Sequence, residues 1–190
     1  MLALVSSTDP RWVDVALSNL DAVLVDHLHC ELKAASNAMA LVTRYVYHPH
    51  LVEGLTDLAR EELTHVQQVH AELARRGLSA HPPDEDAYAR ALRRAMDDRK
   101  GEPLLDRLAV ASIIEARSCE RFQLLGAHAP TEALRAWYLD LFASEARHYR
   151  LFASLAEELF GDDRARERIT SLAEREAEIL SKMPVLPRVH

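Results

Sequence analysis

The chain has 190 residues, of which 48% are hydrophobic, and this is enough for one domain with a full core. Its longest apolar stretches, such as 108–114, are far shorter than the roughly 18 to 20 residues of a membrane span, and the amino terminus lacks a signal-peptide pattern. A net charge of −7 argues against broad nucleic-acid binding, although a local basic surface remains compatible with it. We therefore expect a single cytoplasmic domain over residues 1–190 with no membrane contact.

Proline and glycine mark the ends of the predicted helices, since proline suits a first turn and glycine suits a carboxyl-terminal cap. The positions of these prolines and glycines predict long helices at about 10–47, 50–76, 103–126 and 131–160. A shorter helix is predicted at 84–99 and a last one at 164–182. The prolines that precede long helices are Pro10, Pro49, Pro103 and Pro130, and the glycines at or near helix ends are Gly77, Gly101, Gly126 and Gly161. No segment alternates with the period of a strand, so the fold class is all-α.

The connection between the second and third long helices is the longest, at roughly 25 residues. A bundle made of two helical hairpins requires one such crossover, whereas an up-down bundle does not. Composition alone permits both arrangements, and the acidic residues distinguish them.

Six residues form one pattern that occurs twice. A glutamate on one helix is followed about thirty residues later by Glu-x-x-His on the next helix, and the second set repeats the first at separations of 83 or 84 residues. A lone Glu-x-x-His is common on helices, but this doubled order matches the dinuclear carboxylate site of ferritin-like bundles. The candidate metal ligands are Glu31, Glu62, His65, Glu115, Glu145 and His148.

Each of these acids lies in a helix stripe that is predicted to face the core. Leu55, Leu58, Val66 and Val69 surround Glu62 at helical spacing, for example. Four ionised carboxylates could not remain in an apolar core without partners, and two divalent cations would balance them, because the two imidazoles are neutral. Oxygen and imidazole ligands without a thiolate suit iron or manganese. We expect Glu31 and His65 on one ion, Glu115 and His148 on the other, and Glu62 and Glu145 as bridges.

Taken one at a time, these residues and their neighbours also have interpretations that involve no metal. One glutamate on a helix is more often a surface residue, and Glu61 and Glu120 point away from the ligand stripes. His27, one turn before Glu31, is either a residue that supports the site or lines the substrate pocket, or a packed core histidine. Cys30 and Cys119 give no disulfide framework and are expected to be buried reduced thiols.

Local sequence around the ligands resembles a family of enzymes. The stretches 26–36, 60–65, 114–122 and 144–149 resemble the tRNA-modifying di-iron monooxygenases called MiaE, over about residues 10 to 160. The run Glu-Ala-Arg-Ser-Cys-Glu-Arg-Phe from Glu115 to Phe122 is the most specific element. The resemblance implies a ferritin-like four-helix bundle with a long crossover and an additional carboxyl-terminal helix.

The resemblance also implies a reaction. It implies that two iron ions and O₂ hydroxylate the isopentenyl group of 2-methylthio-N6-isopentenyladenosine next to the tRNA anticodon. Since the sequence has no flavin or iron–sulfur motif, an external reductase must supply the electrons. Two other di-iron functions are left open: hydroxylation of a prenylated quinone precursor, and ferritin-like oxidation and storage of iron. A helical scaffold without metal is the last alternative, and the oligomeric state is open.

A basic segment is the best candidate for tRNA contact, with Arg117 and Arg121 as weaker candidates. It consists of Arg90, Arg93, Arg94, Arg99 and Lys100, together with Asp97 and Asp98. On sequence grounds alone, a solvated helix face is the simpler explanation of this segment.

Charge reversal at Arg93 and Arg94 is expected to weaken tRNA binding, because it removes cations that would pair with phosphates. The iron content should stay the same, and binding is measured by fluorescence anisotropy at low salt. Unchanged affinity would exclude this surface.

Overall fold

The computed structural model describes residues 3–82, 85–96 and 102–190, and within these ranges it contains seven helices and no strand. They are α1 (Arg11–Ser18), α2 (Leu20–Arg44), α3 (Pro49–Arg75), α4 (Ala87–Ala95), α5 (Pro103–His128), α6 (Glu132–Phe160) and α7 (Asp162–Leu180). The all-α prediction is confirmed, and the four long helices are α2, α3, α5 and α6. Pro49 and Pro103 begin α3 and α5, as the sequence predicts.

The predicted first helix, 10–47, is wrong in one respect, because it is divided at Asn19. The side chain of Asn19 accepts a hydrogen bond from the backbone N–H of Ala22 at 3.3 Å, which caps the amino terminus of α2. A polar side chain that competes with the helix backbone favours such a cap over a helix interior. The segment therefore forms two helices, α1 and α2, with Asn19 between them.

The chain forms two compact units. The α2–α3 unit is a helical hairpin in which α2 packs against α3, and residues 187–189 join it through a 2.7 Å hydrogen bond from Val189 N–H to the Asp26 carboxylate. The α5–α6 unit contains α1 and α4 to α7. The connection from α3 to α5, residues 76–102, carries α4 and is the long crossover that the sequence predicts.

The α5–α6 unit is built around α5, which packs against α6 and α7. Helix α4 packs against α5 and α7, and these three helices share an apolar cluster. Its buried members are Tyr88, Leu92, Ala109, Val110, Ile113, Ile169, Leu172 and Ala173. Because α5 is surrounded in this way, both its ligand face and its opposite face are buried.

The predicted glycine ends are partly confirmed. Gly77 follows α3 with φ +70°, and Gly161 separates α6 from α7 with φ +86°, conformations that glycine adopts readily. Gly126 is instead inside α5, where a Cβ would lie 2.7 Å from Leu139 Cδ2, so this glycine allows α5 and α6 to approach closely. Gly101 lies outside the described residues.

Candidate metal centre

The α2–α3 unit brings three of the predicted ligands together. Glu31 comes from α2, and Glu62 and His65 lie one turn apart on α3, with one ligand atom of each within 4.8 Å of the others. His65 Nδ1 is 3.1 Å from Glu62 Oε2 and 3.7 Å from Glu31 Oε2. All three side chains are buried, and Glu62 is 0% exposed. We call these residues the first triad.

The α5–α6 unit brings together the other three. Glu115 comes from α5, and Glu145 and His148 lie one turn apart on α6, again with ligand atoms within 4.8 Å of one another. His148 Nδ1 is 3.8 Å from Glu145 Oε1. None of the three is more than 5% exposed. This second triad has the same composition as the first, with two carboxylates and one imidazole.

Hydrogen bonds and opposite charges link the members of the first triad. Burial opposes ionisation of Glu31, but bonds with His27, His65 and Glu62 outweigh it and hold the pKa of Glu31 well below its ordinary value. Burial likewise opposes protonation of His65, but Glu31 and Glu62 raise its pKa to about 10. The protonated imidazole of His65 therefore neutralises part of the charge of the two carboxylates.

His27 supports the first triad directly. Its ring is 0% exposed, and its Nε2 lies 2.5 Å from Glu31 Oε1. An ionised carboxylate can only accept a hydrogen bond, so Nε2–H of His27 donates to it. Of the two roles considered for His27, the structure favours support of the site through Glu31.

The cysteines are buried free thiols, as expected. Burial and the negative charges of Glu115 and Glu120 raise the pKa of Cys119 to about 11. A thiol with this pKa remains protonated at neutral pH and is a poor metal ligand. The second triad itself offers only oxygen and nitrogen as donor atoms.

The specific run 115–122 includes a buried ion-pair network that the sequence alone does not reveal. Arg117 is 0% exposed and donates to both carboxylate oxygens of Glu176 at 2.9 and 3.0 Å. It also donates to Glu120 and, at 2.9 Å, to the backbone carbonyl of Ser6. Glu120 is thus a partner of Arg117 and not a member of either triad.

Arg117 and Arg121 are both buried, so they are unsuitable as tRNA contacts, and that prediction is wrong. Arg121 is 9% exposed, and its guanidinium lies 5.0 Å from the centre of the Trp12 ring. Burial lowers the pKa of Arg121 to about 10, which still leaves it charged at neutral pH. Both arginines contribute to the interior of the α5–α6 unit.

Glu176 and Tyr88 are two buried polar residues that the sequence patterns do not single out. The Tyr88 hydroxyl donates to Glu176 at 3.0 Å, and Glu176 is 0% exposed. The available signal was the position of Glu176 on α7, seven, four and three residues after Ile169, Leu172 and Ala173. An acid in a core-facing stripe indicates a buried partner.

The basic segment of the crossover is partly described. Arg93 and Arg94 are exposed near the end of α4, and Arg90 pairs with Glu85. Asp97, Asp98, Arg99 and Lys100 lie outside the described residues. Two exposed arginines are thus available to an anionic partner.

The comparisons with known proteins identify the family. The family model described as tRNA-(MS[2]IO[6]A)-hydroxylase (MiaE) matches residues 2–190. The chain belongs to the MiaE family. A protein of Pseudomonas putida named tRNA 2-(methylsulfanyl)-N(6)-isopentenyladenosine(37) hydroxylase is 42% identical over 156 residues, covering 82% of this chain and 75% of that protein. A Salmonella typhimurium protein of the same name is 29% identical, covering 91% of this chain and 82% of that protein.

A solved structure agrees with the fold. A protein from Synechococcus described as having aldehyde deformylating oxygenase activity superposes with a TM-score of 0.94 at 39% identity, covering 100% of this chain and 96% of that one. The chain therefore has the all-α, ferritin-like fold of the MiaE family, with a long crossover and an additional carboxyl-terminal helix. Among the described residues, no helix is both long enough and apolar enough to cross a membrane.

Metal binding at the first triad is expected to release a proton, because His65 must lose the proton that its pKa of about 10 retains at neutral pH. The apparent affinity for Fe²⁺ should therefore rise with pH between 6 and 8. Anaerobic calorimetry in buffers of different ionisation enthalpy measures the release, and Glu61→Gln is the control that should retain it. A binding heat independent of the buffer would contradict this assignment.

Replacement of Arg117 by leucine should lower the free energy of unfolding by about 3–5 kcal/mol, because Glu176 is left as a buried charge without its main partner. The double variant Arg117→Leu/Glu176→Leu should recover much of that loss, as chemical denaturation can measure. Arg93→Leu, at an exposed site, should change stability by about 0.5 kcal/mol or less. If Arg117→Leu were as stable as the wild type and lost only RNA affinity, the buried role would be wrong.

Proposed function

We propose that this chain is an O₂-dependent di-iron monooxygenase that hydroxylates the isopentenyl group of 2-methylthio-N6-isopentenyladenosine next to the tRNA anticodon. The observation that carries the proposal is the pair of buried Glu/Glu/His triads in a chain that the MiaE family model matches over residues 2–190. The named activity of the Pseudomonas putida relative, at 42% identity, supports the substrate.

The two triads would hold two iron ions in a single di-iron domain over residues 1–190. Glu31 and His65 would bind one ion and Glu115 and His148 the other, and Glu62 and Glu145 would complete the ligand set. The donor set fits, because it contains oxygen and imidazole ligands, and the thiol of Cys119, one turn after Glu115, is held protonated. The charge also fits: four carboxylates balance two divalent ions, whereas burial of the four carboxylates alone would be strongly unfavourable.

The iron ions, when bound, would supply electrons to O₂, which makes attack on an unactivated C–H bond possible. The chain's own residues would hold the ions, orient the ligands and exclude water. His27 fixes Glu31 through its 2.5 Å hydrogen bond, so that the carboxylate keeps one orientation. Buried apolar side chains such as Leu58 and Phe152 exclude water from the two triads.

Small side chains beside the first triad would suit an apolar substrate group. Ala35 and Ala38 follow Glu31 by one and two helical turns and are 5% and 0% exposed. A five-carbon prenyl group is apolar and compact, so a wall of alanine side chains suits it. The polar adenosine and the phosphates would remain toward solvent.

The remaining partners follow from the reaction. Each hydroxylation requires two electrons from outside the chain, so an external reductase is needed. A tRNA substrate places the reaction in the cytoplasm. Arg93 and Arg94 on α4 remain a candidate contact for the tRNA backbone.

Loss of a single proposed ligand should remove iron. Glu62→Ala and His148→Ala should reduce the iron content from about two ions per chain to one or none, because each leaves an incomplete ligand set. Plasma mass spectrometry measures the content, and Glu61→Ala, next to a ligand but half-buried, is the matched control. Full iron occupancy in both ligand variants would contradict the assignment.

Mass spectrometry of tRNA tests the substrate. Purified, reduced protein with O₂ should convert 2-methylthio-N6-isopentenyladenosine in tRNA to its hydroxylated form, and a deletion strain should lack that form. A long-chain aldehyde is the matched alternative substrate, because the Synechococcus relative has aldehyde deformylating activity. Turnover of aldehyde without tRNA, a quinone deficiency in the deletion strain, or assembly of an iron-filled cage would each point to another function.

A further inference from the structure

The turn between α2 and α3 exposes large side chains that the di-iron chemistry does not use. Residues 45–48 connect the two helices, and Tyr47 and Val46 are 69% and 66% exposed. They are the most exposed of the large hydrophobic side chains in the described part of the chain. Folding alone gives no reason to place an aromatic ring in solvent, and a partner would explain it.

Aromatic and basic groups are organised around this ring. The Tyr47 ring centre lies 4.6 Å from that of His48 and 6.3 Å from that of Tyr45, the latter edge to face. The Arg44 guanidinium lies 5.7 Å from the centre of the Tyr45 ring. We call Arg44, Tyr45, Tyr47, His48 and His50 the turn cluster.

The charge around the turn cluster differs from that of the chain. Residues 32–52 contain no Asp or Glu, although the chain has 30 acidic residues and a net charge of −7. The same segment carries Lys33 and Arg44, together with His48 and His50. An anion can approach this end of the α2–α3 unit without meeting acidic side chains from the turn itself.

We propose that the turn cluster binds single-stranded RNA, with an unstacked base on the Tyr47 ring and a phosphate on Arg44. The proposal rests on the proposed function, because it takes the tRNA anticodon loop as the partner. Proteins that bind RNA loops combine exposed aromatic rings, which stack on bases, with arginine, which pairs with phosphate. The turn cluster presents both within one short segment.

The distance between the turn cluster and the metal centre shows that the cluster would contact a nucleotide other than the reacting one. Arg44 lies thirteen residues after Glu31 on the same helix, which corresponds to about 20 Å along the helix axis. The base on Tyr47 is therefore not the adenosine that reacts at the metal centre. It is another nucleotide of the same loop, and the contact positions the tRNA without touching the reacting group.

The test compares stacking and charge variants for binding to an anticodon stem-loop RNA. Tyr47→Ala should weaken binding by roughly 5- to 150-fold, the range expected for one lost base stack. Tyr47→Phe should bind like the wild type, since the ring remains. Arg44→Gln should reduce the salt dependence of binding by about one phosphate contact. Iron content should be unchanged in all three, which separates the contact from the metal centre.

Leu139→Ala is the control, because Leu139 is an apolar side chain of α6 that is 47% exposed and lies outside the turn cluster. It should leave RNA affinity unchanged. If the wild type hydroxylates tRNA but Tyr47→Ala binds RNA as tightly as the wild type, the proposed RNA contact of the turn cluster would be wrong. The proposed function would remain intact. A wild-type dimer on gel filtration that Tyr47→Ala converts to monomer would assign the surface to a second copy of the chain. A wild type that neither binds the stem-loop nor modifies tRNA would overturn both.

Discussion

Four buried carboxylates are the constraint on which the rest of this chain depends. Glu31, Glu62, Glu115 and Glu145 are each 5% exposed or less, in apolar stripes of four different helices. Burying such charges is costly unless cations or hydrogen-bond donors compensate for it. The chain supplies donors, with His65 and His27 around the first triad, and in the proposed centre two metal ions would balance the remaining charge. Within each unit, a pair of long helices brings two of these carboxylates together.

Much of this arrangement could be predicted from the sequence, because it follows from local rules. The four ligand-bearing helices are delimited by residues such as Pro49 and Pro103, whose effect is confined to one turn. Glu62 and His65 share a face because the helix repeat places residues three apart together. Both triads then follow from the repeated order of Glu and Glu-x-x-His along the chain.

The features that could not be predicted have two origins. Some depend on contacts between residues distant in sequence, and others on a side chain that competes with the helix backbone for hydrogen bonds. Arg117 looks like a surface residue until its partner Glu176, 59 residues away, is placed beside it. Gly126 has the sequence context of a helix end but serves the approach of α5 to α6. Asn19 divides a continuous amphipathic pattern because its side chain caps α2. The run 115–122 is thus specific for two reasons, since Glu115 belongs to a triad whereas Arg117 and Glu120 belong to a buried network.

The same fold supports more than one reaction, as the Synechococcus relative with aldehyde deformylating oxygenase activity shows, so the substrate must be argued from the surfaces around the site. Every di-iron reaction requires the pair of metal ions. Anomalous X-ray scattering at the iron edge, on crystals grown after anaerobic loading with Fe²⁺, tests it most directly. We predict two iron peaks per chain, one bonded to His65 and one to His148. A single peak, or iron bonded to neither histidine, would contradict the proposed centre.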